Sequence, residues 1–215
     1  MVKYDIKNPW HCVKMGEHAP EVINSVIEIS KGSKGKYELD KESGLLKLDR
    51  VLFSAVHYPA NYGFIPRTIA DDNDPLDILV ISSIDVEPLC IVSAKVIGVM
   101  HMIDSNERDE KVIAVANNDI AVNYINSLDE LPPHTMVELK RFFEDYKALE
   151  HKHVEVNEFL GKDDAFKIIE ESMQRYADVY LIDHTEGPVK FQRAAPQLTG
   201  TNISASKKQK ARKKS

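Results

Sequence analysis

The order of secondary-structure signals along the chain constrains its fold more than any other feature. Runs of β-branched and apolar residues, separated by turn signals, fill the first half, and helical periodicity is confined to the second half. The runs predicted as strands are VINSVIEI at 22–29, KYEL at 36–39, ILVIS at 78–82, CIVSAKVIGVMHMI at 90–103 and KVIAVA at 111–116. The turn signal DKESG at 40–44, followed by LLKLD, turns the second run into a hairpin.

Two amphipathic helices are predicted after these strands. The segment 131–150 has prolines at a helix start and apolar residues at three- and four-residue spacing. A second helix is predicted from Asp163 to about Leu181, with Phe166, Ile169 and Met173 on one face. Strands followed by helices, without βαβ alternation, predict an α+β domain with a mainly β core, built on a small barrel or sheet.

The segment YPANYGFIP at 58–66 separates two groups of strands. Its Pro, Asn and Gly content is too high for regular structure, so we predict an irregular loop that presents the aromatic side chains, Tyr58 and Tyr62 among them. Loops on a rigid scaffold often carry function.

Length and charge divide the chain into a folded body and a tail. The 215 residues are enough for one domain, placed at 1–183, and 184–215, rich in Pro, Gly, Ser, Thr and Lys, are predicted to form a flexible basic tail. From Lys190 onward there are eight Lys and Arg residues and no acid, so a total charge of -6 leaves -14 for everything before Lys190. An acidic body argues against nucleic acid as a specific partner.

Cysteine usage and apolar run lengths bear on location. Cys12 and Cys90 form no C-x-x-C pair and match no zinc-ligand spacing, so reduced thiols in a cytosol are the simplest interpretation. The start MVKYDIKNPWH lacks a signal-peptide stretch, and the apolar runs are too short to cross a bilayer. We therefore expect a cytoplasmic protein with no membrane partner.

Asp72, Asp74 and Asp77 lie in DDNDPLDILV, an acidic turn that runs directly into an apolar strand. Three carboxylates within six residues repel one another, and hard divalent cations relieve such repulsion. A solvated acidic loop is the alternative. An EF-hand is excluded, because Asp77 stands where the calcium loop needs glycine and a strand follows instead of a helix.

Other acids interrupt or flank the predicted strands. Asp104 and Asp109 flank a turn between two strands, which by itself is only a polar hairpin. Glu28 and Glu38 interrupt apolar runs, although Glu28 could face solvent by strand alternation. The basic residues near these acids are Lys36, Arg50 and Lys111.

Together these motifs resemble family I of the soluble inorganic pyrophosphatases. DNDPLDI at 72–78 fits the family motif D-x-D-P-x-D-x in full. In the family's order it is accompanied by IEI at 27–29, KYELD at 36–40, LDR at 48–50, YPANYGFIP at 58–66, D-x4-D-x-K at 104–111 and FFEDYK at 142–147. The resemblance covers roughly residues 8–180, and the NPWH start looks most like the longer members of plants and some bacteria. It implies a closed OB-like β-barrel with two C-terminal helices packed on it, and Mg²⁺-dependent hydrolysis of pyrophosphate to two orthophosphates.

The resemblance also implies a role for each matching residue, with several Mg²⁺ ions per site. The implied metal ligands are Asp72, Asp77 and Asp109 for a first ion, Asp77 again for a second, Asp104 and Asp109 for a third that arrives with substrate, and Glu38 through water for a fourth. The implied phosphate-binding residues are Lys36, Arg50, Tyr62, Lys111, Tyr146 and Lys147. Asp74 matches the residue that positions and deprotonates the attacking water, and Glu28 and Tyr58 match supporting positions.

Two alternatives from other functional classes stay open. A small β-barrel that binds single-stranded nucleic acid would need a basic groove with stacking aromatic residues, which the acidic body does not offer. A catalytically inactive relative acting as a scaffold is disfavoured, because every acidic, basic and tyrosine position of the motif set is occupied as expected. Relatives occur as monomers, dimers and hexamers, so a homo-oligomer also stays open.

Overall fold

The computed structural model describes residues 8–181, which form three helices and eight strands. The elements are α1 (Pro9–Cys12), β1 (Val22–Ile29), β2 (Gly35–Leu39), β3 (Leu46–Val51), β4 (Asn61–Phe64), β5 (Asp77–Ile81), β6 (Ile91–Asp104), β7 (Glu107–Ala116), α2 (Pro133–Asp145), β8 (Val154–Gly161) and α3 (Lys162–Tyr180). Short 3₁₀ turns at Leu128–Glu130 and Ala148–Glu150 flank α2. The predicted α+β class with a mainly β core is confirmed.

Six of the strands form one sheet, in the order β1-β4-β5-β7-β6-β8. β1 has two partners, because its first part, Val22–Val26, pairs with β6 and its second part pairs with β4. The β5–β7 pair is parallel, and the other pairs are antiparallel. β2 and β3 form a separate hairpin.

The two long helices cover opposite faces of this sheet. In β5, Ile78 and Val80 pack in one apolar cluster and Leu79 packs in another, as the two-residue period of a strand requires. The first cluster also contains Ala165 and Ile169 of α3, and the second contains the α2 residues Leu139, Phe142 and Phe143. Both faces are therefore apolar where the helices pack on them.

The irregular loop predicted at 58–66 is partly wrong, because its centre is the strand β4. This strand lies between β1 and β5 and is buried along its length. The buried side chain of Asn61 is satisfied: its Oδ1 accepts from the backbone N–H of Val86 at 2.8 Å, and its Nδ2 donates to the carbonyl of Ile84 at 3.1 Å. A residue typical of turns therefore ties a strand to the loop after β5.

Strand β8 was not predicted, and the first long helix is shorter than the pattern indicated. α2 ends at Asp145, and the following 3₁₀ turn closes at His151, which has a left-handed φ of 59°. The chain then enters β8, in which Val154 and Val156 are buried and Glu155 is exposed. A strand paired with β6 therefore separates the two helices.

The described residues, 8–181, contain no helix that is long and apolar enough to span a membrane. The predicted tail at 184–215, and the domain boundary at 183, lie outside them.

Candidate active site

Charged residues converge where β5, β6 and β7 begin or end. Asp77 opens β5 and lies opposite Lys111 of the parallel strand β7. Asp109 precedes Lys111 by two residues, so both side chains lie on the same face. Asp104 is the last residue of β6, beside the start of β7. The sheet therefore brings together acids from separate parts of the sequence.

A cavity of about 600 Å³ opens at this edge of the sheet. Its walls are the β2–β3 hairpin, the acidic turn before β5, the β6 and β7 ends and the residues just after α2. The predicted site residues that line it are Glu28, Lys36, Glu38, Tyr62, Asp72, Asp74, Asp77, Asp104, Asp109, Lys111, Tyr146 and Lys147. The remaining two predicted residues, Arg50 and Tyr58, are not in the lining.

Lys111 is buried at the centre of the charged group, with 3% of its surface exposed. Its ammonium bonds to the carboxylates of Asp77 and Asp109 and lies 5.9 Å from the ring centre of Tyr62. Burial by itself would lower the pKa of Lys111, but the two carboxylates prevail and raise that pKa well above its ordinary value. Lys111 therefore stays charged.

Burial raises the pKa of both Asp77 and Asp72 above the ordinary aspartate value. The positive charge of Lys111 opposes the rise in the pKa of Asp77. The rise in the pKa of Asp72 is opposed by the backbone N–H of Asp74, which donates to Oδ1 of Asp72 at 2.9 Å. A raised carboxylate pKa means that the ionised form lacks enough positive charge around it. A bound cation would supply that charge.

Asp104 behaves differently, because α2 delivers two partners to it. Its carboxylate accepts from the ammonium of Lys147 and, at 3.2 Å, from the hydroxyl of Tyr146. Burial would raise the pKa of Asp104, but the hydrogen bond and charge of Lys147 outweigh it and lower the pKa. Tyr146 and Lys147 directly follow the last residue of α2, so the helix end places both at the cavity.

Glu28 of β1 is buried, with 7% of its surface exposed. Its Oε1 accepts the backbone N–H of Leu39 at 2.6 Å. Burial, reinforced by the negative charge of Asp77, raises the pKa of Glu28 to about 8. The alternative in which Glu28 faces solvent is therefore excluded.

On the β2–β3 hairpin, the ammonium of Lys36 bonds to Glu38 and, at 3.2 Å, to Asp49.

Arg50 and Tyr58 lie behind the cavity wall. Arg50 Nε donates to Glu150 at 2.7 Å, and its Nη1 donates to Asp49 at 2.5 Å. Its buried Nη2 has no hydrogen-bond partner among residues 8–181. Tyr58 is buried, and its ring centre lies 5.5 Å from that of Tyr62 and 4.8 Å from that of Phe142. Tyr58 therefore packs against the ring of Tyr62.

The β2–β3 hairpin contributes cavity residues that the sequence reasoning missed. Among them are Lys41 and Lys47, both exposed, and Lys41 bonds to the carboxylate of Asp74. The only available signal was the position of Lys41 directly after the KYELD motif. No sequence feature near Lys41 indicates that it contacts Asp74, which lies 33 residues further along the chain.

The donor chemistry of the cavity fits hard divalent cations. Its acidic residues offer oxygen atoms only, which Mg²⁺ and Ca²⁺ prefer, and three of them, Glu28, Asp72 and Asp77, carry raised pKa values. Within residues 8–181 no three His, Cys, Asp or Glu side chains are already grouped around one metal position. Lysine ammonium groups instead bond to these acids: Lys111 bridges Asp77 and Asp109, and Lys147 bonds to Asp104.

Known proteins are similar to this chain in sequence and in fold. A family model described as inorganic pyrophosphatase matches residues 25–177. Soluble inorganic pyrophosphatase 4 of Arabidopsis thaliana is 52% identical over 177 residues, which make up 82% of this chain and 82% of that protein. The crystal structure of inorganic pyrophosphatase from Thermus thermophilus matches with a TM-score of 0.76 and 39% identity, over 79% of this chain and 99% of that one. The inorganic pyrophosphatase structure from Helicobacter pylori matches with a TM-score of 0.74 and 43% identity, over 77% of this chain and 99% of that one.

Proposed function

The chain belongs to family I of the soluble inorganic pyrophosphatases, and from that premise we propose how its cavity hydrolyses inorganic pyrophosphate to two orthophosphates. The observation that carries the proposal is that the carboxylates and ammonium groups of the family motifs line one cavity. Pyrophosphate is a polyanion, and an acidic cavity binds it only when cations reverse the local charge.

The family works with divalent metal ions, and we assign Mg²⁺ to this chain. The proposed ligands are Asp72, Asp77, Asp104, Asp109 and Glu38, which all line the cavity. Bound Mg²⁺ would lower the pKa of a water molecule and neutralise the phosphate charge. The raised pKa values of Asp72 and Asp77 support this assignment, because those carboxylates are short of positive charge.

Three lysines and two tyrosines of the cavity are proposed to bind the two phosphoryl groups. Lys36, Lys111 and Lys147 present ammonium groups from three different walls, and Tyr62 and Tyr146 present hydroxyls. Arg50 joins this set only if it leaves Glu150 or Asp49 or uses its unpaired Nη2. Groups of this kind stabilise the charge that builds on the leaving phosphate as the P–O bond breaks.

Asp74 is proposed to act as the general base. Its side chain is 57% exposed in the acidic turn, so it can reach a water in the cavity. It accepts the proton of the attacking water while the water oxygen bonds to one phosphorus, and the bridging oxygen leaves with the other phosphoryl group. Glu28 and Tyr58 are proposed to support the hairpin and Tyr62 from behind.

The proposal also covers the closure of the barrel, the cellular compartment and the partners. The pairings β1–β4, β4–β5, β5–β7, β7–β6 and β6–β1 form a circuit, which supports a closed OB-like barrel. Free thiols at Cys12 and Cys90 support a reducing cytoplasm. We further propose that the enzyme acts without nucleic acid, and that any homo-oligomer leaves the cavity open to substrate.

The decisive experiment measures phosphate release from pyrophosphate with Mg²⁺, with EDTA and with Mg²⁺ plus Ca²⁺. We expect activity only with Mg²⁺, and inhibition by Ca²⁺, which occupies the same carboxylates with looser geometry. Equal release in EDTA would refute the metal assignment. No release under any condition would instead favour the inactive scaffold.

A further inference from the structure

Lys41 bonds to the proposed base across the mouth of the cavity. Lys41 lies in the hairpin turn after β2, and Asp74 lies in the acidic turn before β5. The Lys41 ammonium donates to Oδ1 of Asp74. Among residues 8–181 no donor bonds to the other carboxylate oxygen, Oδ2. One oxygen of the proposed base is thus held by the protein, and one is left for the cavity.

The ring of Trp10 lies against the same ammonium, whose nitrogen is 5.3 Å from the ring centre. A cation over an indole face is held by electrostatic attraction. Trp10 itself is fixed, because it is 3% exposed and its indole N–H donates to the carbonyl of Thr68 at 2.8 Å. The Lys41 ammonium therefore lies between a buried ring and Asp74.

Asn8 fixes the backbone of the same lysine. Its Nδ2 donates to the carbonyl of Lys41 at 2.7 Å, and its Oδ1 accepts the backbone N–H of Trp10 at 2.9 Å, which caps α1. The short helix α1 is thereby attached to the hairpin turn at two points, one through the backbone and one through the side chain of Lys41.

α1 also contacts the opposite wall of the cavity. Thr68, which accepts from the indole of Trp10, receives the backbone N–H of Leu76 on its Oγ1 at 2.9 Å. The backbone N–H of Ala70 bonds to the carbonyl of Asp74 at 2.8 Å. The acidic turn is therefore closed on itself and joined to α1, so α1 connects the two turns that carry Lys41 and Asp74.

We propose that Lys41 is a positioning residue for pyrophosphate hydrolysis, and that Asn8 and Trp10 hold it in place. The inference rests on the proposed role of Asp74 as the base. By holding Oδ1, Lys41 keeps the carboxylate in one orientation with Oδ2 directed at the attacking water. Exposed ion pairs add little to fold stability, so the effect belongs to turnover, where small errors of orientation are costly.

The first test compares Lys41→Met, Lys41→Arg and Lys47→Met at saturating Mg²⁺. Lys47→Met is the matched control, because it removes the same charge from the same cavity wall, and Lys47 does not contact Asp74. We expect Lys41→Met to lower kcat about tenfold with KM within about twofold. Lys41→Arg should recover most of the loss, and Lys47→Met should stay near wild type. All three should melt near the wild-type temperature.

A double variant separates positioning from any independent role. If Lys41 acts only through Asp74, Lys41→Met should cost no further turnover in an Asp74→Asn background. Asn8→Asp keeps the acceptor that caps α1 but loses the donor to the Lys41 carbonyl. It should lower kcat in the wild type and leave the Lys41→Met variant unchanged.

The outcomes distinguish this inference from the proposed function. Absence of Mg²⁺-dependent phosphate release in the wild type would end both. Normal wild-type activity with full kcat in Lys41→Met, or a loss confined to KM, would overturn only the positioning role. Additive losses in the double variant with Asp74→Asn would likewise show that Lys41 does not act through the base.

Discussion

At the residue scale, the charge balance of the cavity depends on Lys111. A buried ammonium is tolerable only when it is paired, and here two carboxylates pair with it. The same pairing keeps Asp77 and Asp109 close together, although both are acids. The protein thus assembles a region of negative charge around one internal cation before any metal or substrate arrives.

Asp74 and Asp77 are three residues apart, yet their substitutions should fail differently. Asp77→Asn removes a partly buried charge beside Lys111, so it should weaken Mg²⁺ binding and reduce the rise in melting temperature that Mg²⁺ produces. Asp74→Asn removes an exposed proton acceptor and should lower kcat at saturating Mg²⁺ by about 10²-fold or more, with Mg²⁺ stabilisation near wild type. Thermal-shift titration with Mg²⁺, followed by phosphate release, measures both.

The assigned roles would be wrong under either of two results. Normal Mg²⁺ affinity in Asp77→Asn would remove that residue from the metal ligands. Full recovery of Asp74→Asn by excess Mg²⁺ would show that the residue binds metal and does not act as the base.

Glu28 should make the metal-free protein less stable as the pH rises. Its folded pKa of about 8 exceeds the ordinary value of 4.5, so the folded state holds a proton that the unfolded state releases. Its stabilising contribution is therefore complete below pH 4.5 and is lost as the pH rises towards 8. Glu28→Gln does not titrate, so its stability relative to wild type should increase over that range. Urea unfolding in EDTA at several pH values measures the difference.

The control for this prediction is Glu38→Gln on the neighbouring hairpin, where the carboxylate is 54% exposed. The same urea series on this variant measures what the loss of an exposed carboxylate on the hairpin contributes. A constant difference between Glu28→Gln and wild type at all pH values would mean that Glu28 is ionised in the folded protein.

Most site residues could be predicted because their motifs are local in sequence. The acidic turn and the D-x4-D-x-K hairpin place their acids at strand ends, and the structure puts both at one cavity. The role of Lys41 could not be predicted, because its contact with Asp74 depends on how two distant turns meet. The pairing of Arg50 with Glu150, 100 residues away, is hidden for the same reason.

At the element scale, β4 shows why composition misled the strand prediction. Asn61 and Gly63 are typical of turns, but β4 lies between two other strands and is buried throughout. Asn61 is accommodated by its own hydrogen bonds, and Gly63 by the close approach of β1. Tertiary contacts of this kind override local preference.

Gly63→Ala should therefore strongly destabilise the fold. A Cβ at this position would lie 2.0 Å from the carbonyl oxygen of Val26 and 2.8 Å from Cα of Ile27, both backbone atoms of β1. The two strands would have to separate, and we expect a loss of about 3 kcal/mol or more in the free energy of unfolding. Urea or thermal unfolding measures it.

Gly161→Ala is the matched control, because nothing lies within 4 Å of the added Cβ. We expect it to cost no more than about 1 kcal/mol, because Gly161 is the N-cap of α3 and alanine is less favourable than glycine at that position. Similar stabilities for the two variants would show that β1 and β4 adjust to a side chain at Gly63.

The missed strand β8 had a usable signal, unlike β4. Val154 and Val156 alternate with Glu155 and Asn157, which is the half-buried pattern of a strand. The signal covers only a few residues between two longer helical patterns. Its partner residues in β6 lie 50 or more residues earlier in the chain, so pairing becomes visible only in three dimensions.

At the scale of the whole molecule, the first and last described elements meet. Nδ1 of His11 in α1 lies 2.8 Å from the hydroxyl of Tyr176 in α3, and the Trp10 and Tyr180 rings meet edge to face at 5.7 Å. The family model begins at residue 25, so α1 lies outside it and still reaches the cavity through Lys41. The two ends of the described chain, residues 8–181, thus pack against each other.

Truncation after Asp183 should consequently leave both fold and activity in place. The buried face of α3 ends at Ala177, and the side chains of Val179, Tyr180 and Leu181 are about half exposed or more, so the last described residues add little to the core. We expect the Mg²⁺-dependent rate to stay within about twofold of the full chain, with nearly the same melting temperature. Truncation after Ile168 is the contrasting control: it removes Ile169, Met173 and Tyr176 from the core and should abolish folding. If the chain ending at Asp183 folds but loses its activity, residues 184–215 take part in catalysis, and the predicted boundary between body and tail is wrong.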